Sequence, residues 1–153
     1  MSRLSVGDRA PDFTLPDQSG RPVRLRDLLE KKNVVLYFYP KDATPGCTAE
    51  ARAFRDAYDA FTEADTEVMG VSSDSVKSHE RFAAKHALPF TLLSDRDGKV
   101  RKLYGVERTL GIFPGRVTYV IDRNGIVRRV YSSQLAATRH VREARHALTD
   151  LTP

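Results

Sequence analysis

After a polar start that contains several prolines and glycines, short apolar runs alternate with amphipathic segments along the chain. The segment 33–39 (NVVLYFY) is a continuous run of mainly β-branched and aromatic residues. This pattern predicts a strand buried on both faces, which Pro40 ends. Residues 66–72 (TEVMGVS) predict a second strand, and residues 91–93 predict a short third one.

Helical spacing of apolar residues appears between these strands. Apolar side chains recur every three or four residues from Ala49 to Phe61, which predicts a helix directly after the loop 40–47. Asp74 or Ser75 can cap the next helix. Shorter helices are predicted at 24–30, at 100–104 with Gly105 as the stop, and at 137–148.

Two further strands, Val117–Ile121 and residues 126–131, flank an Asp-Arg-Asn-Gly turn. The pair Asn124-Gly125 favours the positive φ angles of a tight hairpin. Parallel crossovers followed by an antiparallel hairpin predict an α/β fold, with a mixed central sheet and helices on both faces. A length of 153 residues fits a single domain covering 1–153.

Composition and charge narrow the function classes. The first residues contain no long apolar run, and no segment approaches the ~20 apolar residues of a membrane helix. We therefore expect a cytoplasmic protein without a membrane partner. The formal net charge is +5, and Arg139, Arg142 and Arg145 recur on one side of the last helix. A solvated face is the favoured interpretation, and a nucleic-acid surface lacks the interleaved aromatic residues that stacking requires.

Cys47 is the single cysteine of the chain. An intramolecular disulfide and a zinc site built from several thiolates are therefore excluded. A lone cysteine is often only a small buried apolar residue. Cys47, however, lies where a buried strand has ended and a helix begins, and the free amides and positive dipole of a helix start favour the nucleophilic thiolate.

The residues before Cys47 add candidate chemistry. Thr44 lies three residues earlier, close enough for its hydroxyl to face the sulfur, and Pro40 can shield the sulfur from water. Pro45 and Gly46 permit a tight approach into the helix. The alternative is that Thr44-Pro45-Gly46 forms only an ordinary turn.

The segment FYPKDATPGCTAE resembles the active-site segment of peroxiredoxins, in which proline, threonine and cysteine follow the pattern P-x-x-x-T-x-x-C. Pro40, Thr44 and Cys47 occupy these positions. The likeness is greatest to the bacterioferritin comigratory protein, or PrxQ, subfamily, and covers nearly the whole chain. It is carried by VGDRAPDFTLPDQSG, NVVLYFYPKDATPGCTAEARAFRD, LPFTLLSD and RVTYVIDRNG.

This resemblance implies a thioredoxin-like fold with an N-terminal extension and a thiol peroxidase that needs no metal or organic cofactor. The Cys47 thiolate would attack a hydroperoxide and become a sulfenic acid. The family also implies that Arg116 activates this thiol and that Glu50 orients Arg116. On residues alone, the favoured interpretation of Arg116 is a surface cation at a strand end, and Glu50 can be a plain first-turn acid of the helix. The subfamily is often monomeric, so a monomer or weak dimer is expected.

One position departs from the family pattern. Many PrxQ proteins carry a second, resolving cysteine five residues after the first, where this chain has Arg52. The sequence therefore predicts a one-cysteine enzyme reduced by an external thiol, such as a thioredoxin, a glutaredoxin or a low-molecular-weight thiol. Arg52 is either a solvated arginine or an attractor of an anionic small thiol.

Other functions stay open at this stage. A thiol-disulfide carrier would need a second cysteine at Glu50, a cysteine hydrolase would need a histidine near the loop, and a binding module would leave the loop unexplained. His79 and His86 are expected at the surface, and no histidine has metal-ligand spacing. An apolar rim that would admit organic hydroperoxides is predicted from Phe38, Phe90, Ile112 and Phe113, which could equally be core.

Overall fold

The computed structural model describes residues 3–106, 115–134 and 136–151. Its strands are β1 (Thr14–Pro16), β2 (Pro22–Arg24), β3 (Asn33–Phe38), β4 (Thr66–Ser72), β5 (Thr91–Ser94), β6 (Val117–Ile121) and β7 (Val127–Ser132). Its helices are α1 (Leu25–Leu29), α2 (Pro45–Asp56), α3 (Tyr58–Glu63), α4 (Val76–His86), α5 (Lys99–Leu103) and α6 (Arg139–Ala147), followed by a 3-10 turn at Leu148–Leu151.

Five of the strands form one mixed sheet in the order β5-β4-β3-β6-β7. Strands β3, β4 and β5 are parallel, and β6 runs antiparallel to both β3 and β7. The buried run at 33–39 is the central strand, as its continuous apolar character predicts. Strands β1 and β2 form a separate antiparallel pair in the N-terminal extension.

Alternate residues of β3 point into two different cores, one on each face of the sheet. Val34, Leu36 and Phe38 pack with side chains of α1 and α5. Val35 and Tyr37 pack on the opposite face with side chains of α2, α3, α4 and α6. The predicted mixed sheet with helices on both faces is therefore confirmed.

Two local predictions are corrected. The helix predicted from Ala49 to Phe61 is divided into α2 and α3, because Ala57 leaves helical geometry at φ −98° and ψ 2°.

In the β6–β7 hairpin only Gly125 has a positive φ, +80°, while Asn124 does not. The amide of Gly125 donates to Asp122 O at 2.9 Å, and the amide of Asp122 donates to Ile126 O at 3.0 Å. This is a three-residue loop with glycine in the left-handed position, rather than a two-residue turn.

Helix capping follows the sequence more closely. Ser75 caps α4, since its hydroxyl accepts from the amide of Ser78 at 3.1 Å. Gly105, with φ +68°, follows α5 as the predicted stop. Among the described helices, none is both long and apolar enough to cross a membrane.

Candidate active site

Cys47 is the third residue of α2 and is almost fully buried, with 1% of its surface exposed. The chain leaves the central strand β3, passes through a short loop and enters the helix at Pro45. The first hydrogen bond of this helix runs from the amide of Thr48 to Thr44 O at 2.9 Å. The amides of Gly46 and Cys47 therefore precede the hydrogen-bonded part of the helix, where backbone dipoles favour an anion.

Arg116 lies directly beside this cysteine. Val117, the next residue, pairs with Phe38 at the end of β3, so the antiparallel register brings Arg116 to the edge from which the Cys47 loop departs. The guanidinium Nη2 donates to Cys47 Sγ at 3.4 Å. Arg116 is 95% buried, since only 5% of its surface is exposed, and the interpretation as a surface cation is wrong.

Two further contacts fix the guanidinium of Arg116. Its Nη1 donates to Glu50 Oε1, and its Nε donates to the carbonyl oxygen of Gln134 at 3.2 Å. Burial opposes the positive charge, but attraction to Glu50 and Cys47 raises the pKa of Arg116 above its ordinary value. The group is a permanent cation held in one orientation.

Gly46 makes room for this cation. A Cβ atom built on Gly46 would lie 3.1 Å from Nη2 of Arg116. Any larger residue at this position would push the guanidinium away from the sulfur. Glycine here therefore serves the close approach of a side chain, in addition to the turn chemistry visible in the sequence.

Glu50 is completely buried and lies beyond the first turn of α2, so the interpretation as a plain first-turn acid is wrong. Burial, only partly offset by attraction to Arg116, raises the pKa of Glu50 to about 8. Its second oxygen, Oε2, finds no hydrogen-bond partner among the described residues. It lies 3.8 Å from Nδ1 of His140.

His140 lies next to Glu50 in the buried cluster, and sequence reasoning missed it. Its Nε2 faces the carbonyl oxygen of Ser133 at 2.8 Å and therefore carries the proton, while Nδ1 accepts from the hydroxyl of Thr118 at 2.8 Å. Burial lowers the pKa of His140 to about 4, so the ring is neutral at physiological pH. His140 has helical spacing from Ala144 and Ala147, which are both buried. This spacing was the signal in the sequence that could have identified a buried histidine.

Thr44 and Pro40 are the other two loop residues that were predicted to belong to the site. The hydroxyl of Thr44 donates to the carbonyl oxygen of Lys41 at 2.8 Å, rather than to the sulfur of Cys47. Its lone pairs are left to accept a hydrogen bond from a ligand. Thr44 and Pro40 are both half-buried.

A buried polar network anchors the start of the loop. Asp42 accepts from Tyr39 Oη at 2.6 Å, and its amide donates to Asp74 Oδ2 at 2.8 Å. His79 Nδ1 lies 2.7 Å from Asp42 Oδ2, and its Nε2 lies 3.0 Å from Leu93 O, so both ring nitrogens face acceptors. His79 has no exposed surface, and its predicted surface position is wrong. Ala43, which follows this anchor, is held at a positive φ of 64°.

Asp42, Asp74 and His79 are also close enough together to be considered as metal ligands. Their contacts argue for a hydrogen-bonded cluster instead, because Asp42 Oδ2 and His79 Nδ1 bond each other directly. Asp74 Oδ2 already accepts from Asp42 and from Ser72 Oγ at 2.6 Å. A metal would have to break these bonds to bind.

The predicted apolar rim does not form as expected. Phe38 lies on the opposite face of the sheet from Cys47, and its place in a rim is wrong. Phe90 is 2% exposed and packs against Tyr37 and Phe54, which makes it a core residue. Ile112 and Phe113 lie outside the described residues. His86, also expected at the surface, is half-buried against the ring of Phe82.

Arg101 was also missed by the sequence reasoning. Its Nη2 donates to the carbonyl oxygen of Tyr39 at 2.9 Å, and its Nη1 donates to that of Gly115 at 2.8 Å. The side chain thereby ties the end of β3 to the residue that precedes Arg116. It fixes the separation between the two segments that supply the thiol and the guanidinium.

Comparison with known proteins agrees with this geometry. Residues 6–130 match the AhpC/TSA family. A chloroplastic peroxiredoxin Q of Sedum lineare is 51% identical over 151 residues, which cover 98% of this chain and 81% of that protein. The peroxidoxin BcpB of Mycobacterium tuberculosis has 40% identity and a TM-score of 0.91, with 99% of this chain and 100% of that chain covered. Peroxiredoxin Q of Xanthomonas campestris has 31% identity and a TM-score of 0.84, with 90% of each chain covered.

The thioredoxin-like fold expected from the sequence is therefore confirmed. A buried thiol at a helix start, paired with a buried guanidinium on this fold, defines a thiol-dependent peroxidase. The chain belongs to the AhpC/TSA family and, within it, to the peroxiredoxins of the peroxiredoxin Q, or bacterioferritin comigratory protein, group.

Proposed function

We propose that the protein reduces hydrogen peroxide and organic hydroperoxides through a sulfenic acid on Cys47. The observation that carries this proposal is the 3.4 Å contact between Arg116 Nη2 and Cys47 Sγ, which stabilises the thiolate. The thiolate attacks the outer peroxide oxygen, a sulfur–oxygen bond forms and the oxygen–oxygen bond breaks. Sulfur loses two electrons, and the departing oxygen takes a proton and leaves as water or an alcohol.

The neighbouring groups have separate roles in this step. Arg116 donates to the peroxide oxygens as negative charge develops on the leaving group. The hydroxyl of Thr44, whose own proton is committed to Lys41 O, accepts the hydrogen of the incoming hydroperoxide. The amides of Gly46 and Cys47, which precede the first hydrogen bond of α2, favour the anionic state of the site. Pro40 lies beside the loop and limits the access of water.

We propose a one-cysteine cycle for the reductive half of the reaction. No second cysteine exists in the sequence, so an internal disulfide cannot resolve the sulfenic acid. An external thiol attacks the sulfur instead and releases water, and a second external thiol then frees Cys47 from the mixed disulfide. The candidates are a thioredoxin, a glutaredoxin or a low-molecular-weight thiol.

Arg52 bears on the choice among these reductants. It is exposed on α2. The pKa of His86 is lowered chiefly by burial and further by the charges of Lys85, Arg52 and Arg55, so these basic side chains lie near one another. These basic side chains favour an anionic small thiol. Arg52→Ala should raise the KM for such a thiol without changing the rate of the oxidative step, and an unchanged KM would refute this role.

The first test of the function is direct trapping of the intermediate. Reduced protein is mixed with a small excess of hydrogen peroxide, and sulfenic acid at Cys47 is detected by mass spectrometry after reaction with a trapping reagent. Oxidation should be much faster than that of a free thiol at the same pH, and Cys47→Ser should abolish turnover. Arg116→Ala should slow oxidation by about 10²-fold, whereas the matched variant of the exposed Arg142 should not.

Organic hydroperoxides are tested in the same assay. The rates for hydrogen peroxide and for an alkyl hydroperoxide are compared at equal concentration. A measurable rate with the alkyl substrate supports the broader substrate class, and its absence restricts the enzyme to hydrogen peroxide.

We infer a monomer or weak dimer that serves antioxidant defence in the cytoplasm. Among the described residues, Val6 is the exposed large apolar side chain, which gives no extended apolar patch for a stable interface. A one-cysteine cycle also needs a reducing compartment. Light scattering after size-exclusion chromatography tests the oligomeric state, and cell fractionation tests the location.

A further inference from the structure

Two buried acids share one buried cation at the site. Cys47 and Glu50 are one helical turn apart on α2, and Arg116 contacts both, with Nη2 on the sulfur and Nη1 on Oε1. Exposed surface is 1% for Cys47, 0% for Glu50 and 5% for Arg116. If both acids were ionised, the cluster would hold one uncompensated negative charge out of contact with water, which is costly.

The groups that face Glu50 from the other elements cannot supply a second positive charge. His140 of α6 is neutral, because its Nε2 donates to Ser133 O and its Nδ1 accepts from Thr118. Tyr37 of β3 is a buried neutral phenol, and burial together with the nearby Glu50 and Cys47 raises its pKa well above the ordinary value. The hydroxyl of Tyr37 and Oε2 of Glu50 both lack a hydrogen-bond partner in the described part of the chain.

We infer that Arg116 balances one negative charge at a time, so that Glu50 holds a proton while Cys47 is a thiolate and becomes a carboxylate when Cys47 is neutral. Glu50 is thus a positioning residue whose charge reports the state of the thiol. Through its bond to Nη1 it changes how strongly Arg116 is held near the sulfur.

The net charge of the buried cluster then stays the same through the oxidative half of the cycle, a step that rests on the proposed function. Thiolate, hydroperoxide and protonated Glu50 give sulfenic acid, alcohol or water, and ionised Glu50. Sulfur loses the two electrons that the peroxide gains, and the proton consumed by the departing oxygen is balanced by the proton that Glu50 releases. Arg116 has one anionic partner before the reaction and one after it.

The electrostatics of Glu50 support the same assignment. Burial outweighs the attraction to Arg116 and raises the pKa of Glu50 to about 8, so the protonated form is accessible at neutral pH. An ordinary surface ion pair would instead stay ionised there.

Infrared spectroscopy of the reduced protein at about pH 9 tests this inference, because a protonated carboxyl group has a C=O band that a carboxylate lacks. This pH lies above the pKa of about 8 that burial and Arg116 give Glu50, so only an adjacent thiolate would keep the carboxyl protonated. Reduced wild-type protein should show the band of one buried protonated carboxyl. Glu50→Gln should remove it, which assigns the band. Cys47→Ser, whose hydroxyl is neutral and nearly the same size as the thiol, should also remove it, because Glu50 then ionises against Arg116.

The absence of the band from reduced wild-type protein, or an equal band in Cys47→Ser, would overturn the inference. If Glu50→Gln fails to fold, carbon-13 labelling of glutamate assigns the band in the wild-type protein by its shift. These measurements use no peroxide, so they succeed or fail independently of the proposed peroxidase activity. Loss of the band on peroxide oxidation, with sulfenic acid trapped in the same sample, extends the result to the catalytic cycle, and persistence of the band in that sample would refute the coupling.

Discussion

Gly46 leaves room for Arg116 beside the first turn of α2: a Cβ at Gly46 would lie 3.1 Å from Nη2 of Arg116, the nitrogen that donates to Cys47. The residue before the cysteine thus sets how closely the guanidinium approaches the sulfur. Contact with Glu50 and Gln134 holds the same guanidinium from its other side, so it has little freedom to retreat.

Gly46→Ala should therefore lower activity without lowering stability. The added methyl group displaces Nη2 by a few tenths of an ångström and weakens its bond to the sulfur, which should reduce kcat/KM for hydrogen peroxide by about tenfold. Alanine in place of a helical glycine favours folding by roughly 0.5–1 kcal/mol. Peroxide kinetics and urea unfolding of the same samples measure the two effects.

The control for this variant is Ala49→Ser at an exposed position of α2. It should leave both peroxide kinetics and unfolding close to wild type. Full activity of Gly46→Ala would show that the guanidinium tolerates the displacement, and would contradict the importance of this contact.

Thr44 offers a second test, because its hydroxyl has one hydrogen-bond partner among the described residues. Thr44→Val removes both the bond to Lys41 O and the acceptor for the hydroperoxide, and should lower kcat/KM by about tenfold, the value of one hydrogen bond. Thr44→Ser keeps the hydroxyl and should restore most of the rate. A wild-type rate in Thr44→Val would show that the hydroxyl is not needed, and would contradict its role as the acceptor for the hydroperoxide.

The sequence was sufficient to place Cys47 at a helix start and to predict a mixed sheet, because local signals determine both. A buried run identifies the central strand, and Pro45-Gly46 lies at the start of the helix. The contacts of Arg116 with Glu50 and Cys47 join residues that are 66 and 69 positions apart. Only the family resemblance suggested these contacts, since no local pattern encodes the register of β6 against β3.

The two buried histidines were missed for a different reason. Polarity alone places histidine at the surface, whereas His79 and His140 each have partners for both ring nitrogens and are fully buried. In α4, His79 has the helical spacing of the buried Phe82 and Ala83. Helical periodicity therefore contained the signal, but the partner Asp42, on a loop 37 residues away, could not be read from it.

The Asp42–His79 pair should contribute measurably to stability. Asp42→Asn leaves His79 facing an uncharged partner in a fully buried site and should destabilise the protein by about 3 kcal/mol. The pKa of Asp42 is lowered, chiefly because the hydrogen bond and charge of His79 overcome the effect of burial. This stabilisation is therefore present above the unfolded pKa of 3.8 and is lost as the pH falls through the lower folded value.

Urea unfolding at neutral pH and in acid, with the exposed Asp59→Asn as control, measures this contribution. The Asp42→Asn variant should lose stability at neutral pH and show a weaker acid dependence than wild type. A change no larger than that of Asp59→Asn would mean that the pair is dispensable to the fold.

The free energy of unfolding should depend on pH through His140 in the opposite direction to its dependence through Glu50. The folded pKa of His140, about 4, lies below the ordinary value of 6.5, so between these values the unfolded chain binds a proton that the folded chain does not. Stability from this group therefore falls as the pH is lowered, by about 2 kcal/mol from pH 7 to pH 5. Glu50, with its raised pKa, contributes a change of the opposite sign in the same range, so the wild-type curve alone does not isolate His140.

Comparison of wild type with His140→Gln separates the two groups, since glutamine retains a donor for Ser133 O but does not titrate. The free energy of unfolding of the variant, measured in urea at pH 7 and pH 5, should lack the loss of about 2 kcal/mol that His140 imposes on the wild type. The exposed His146→Gln should keep the wild-type pH dependence. If both variants keep it, His140 is protonated in the folded protein, and the neutral ring between Thr118 and Ser133 is excluded. That result would also remove the reason for assigning Arg116 as the one cation beside Cys47 and Glu50.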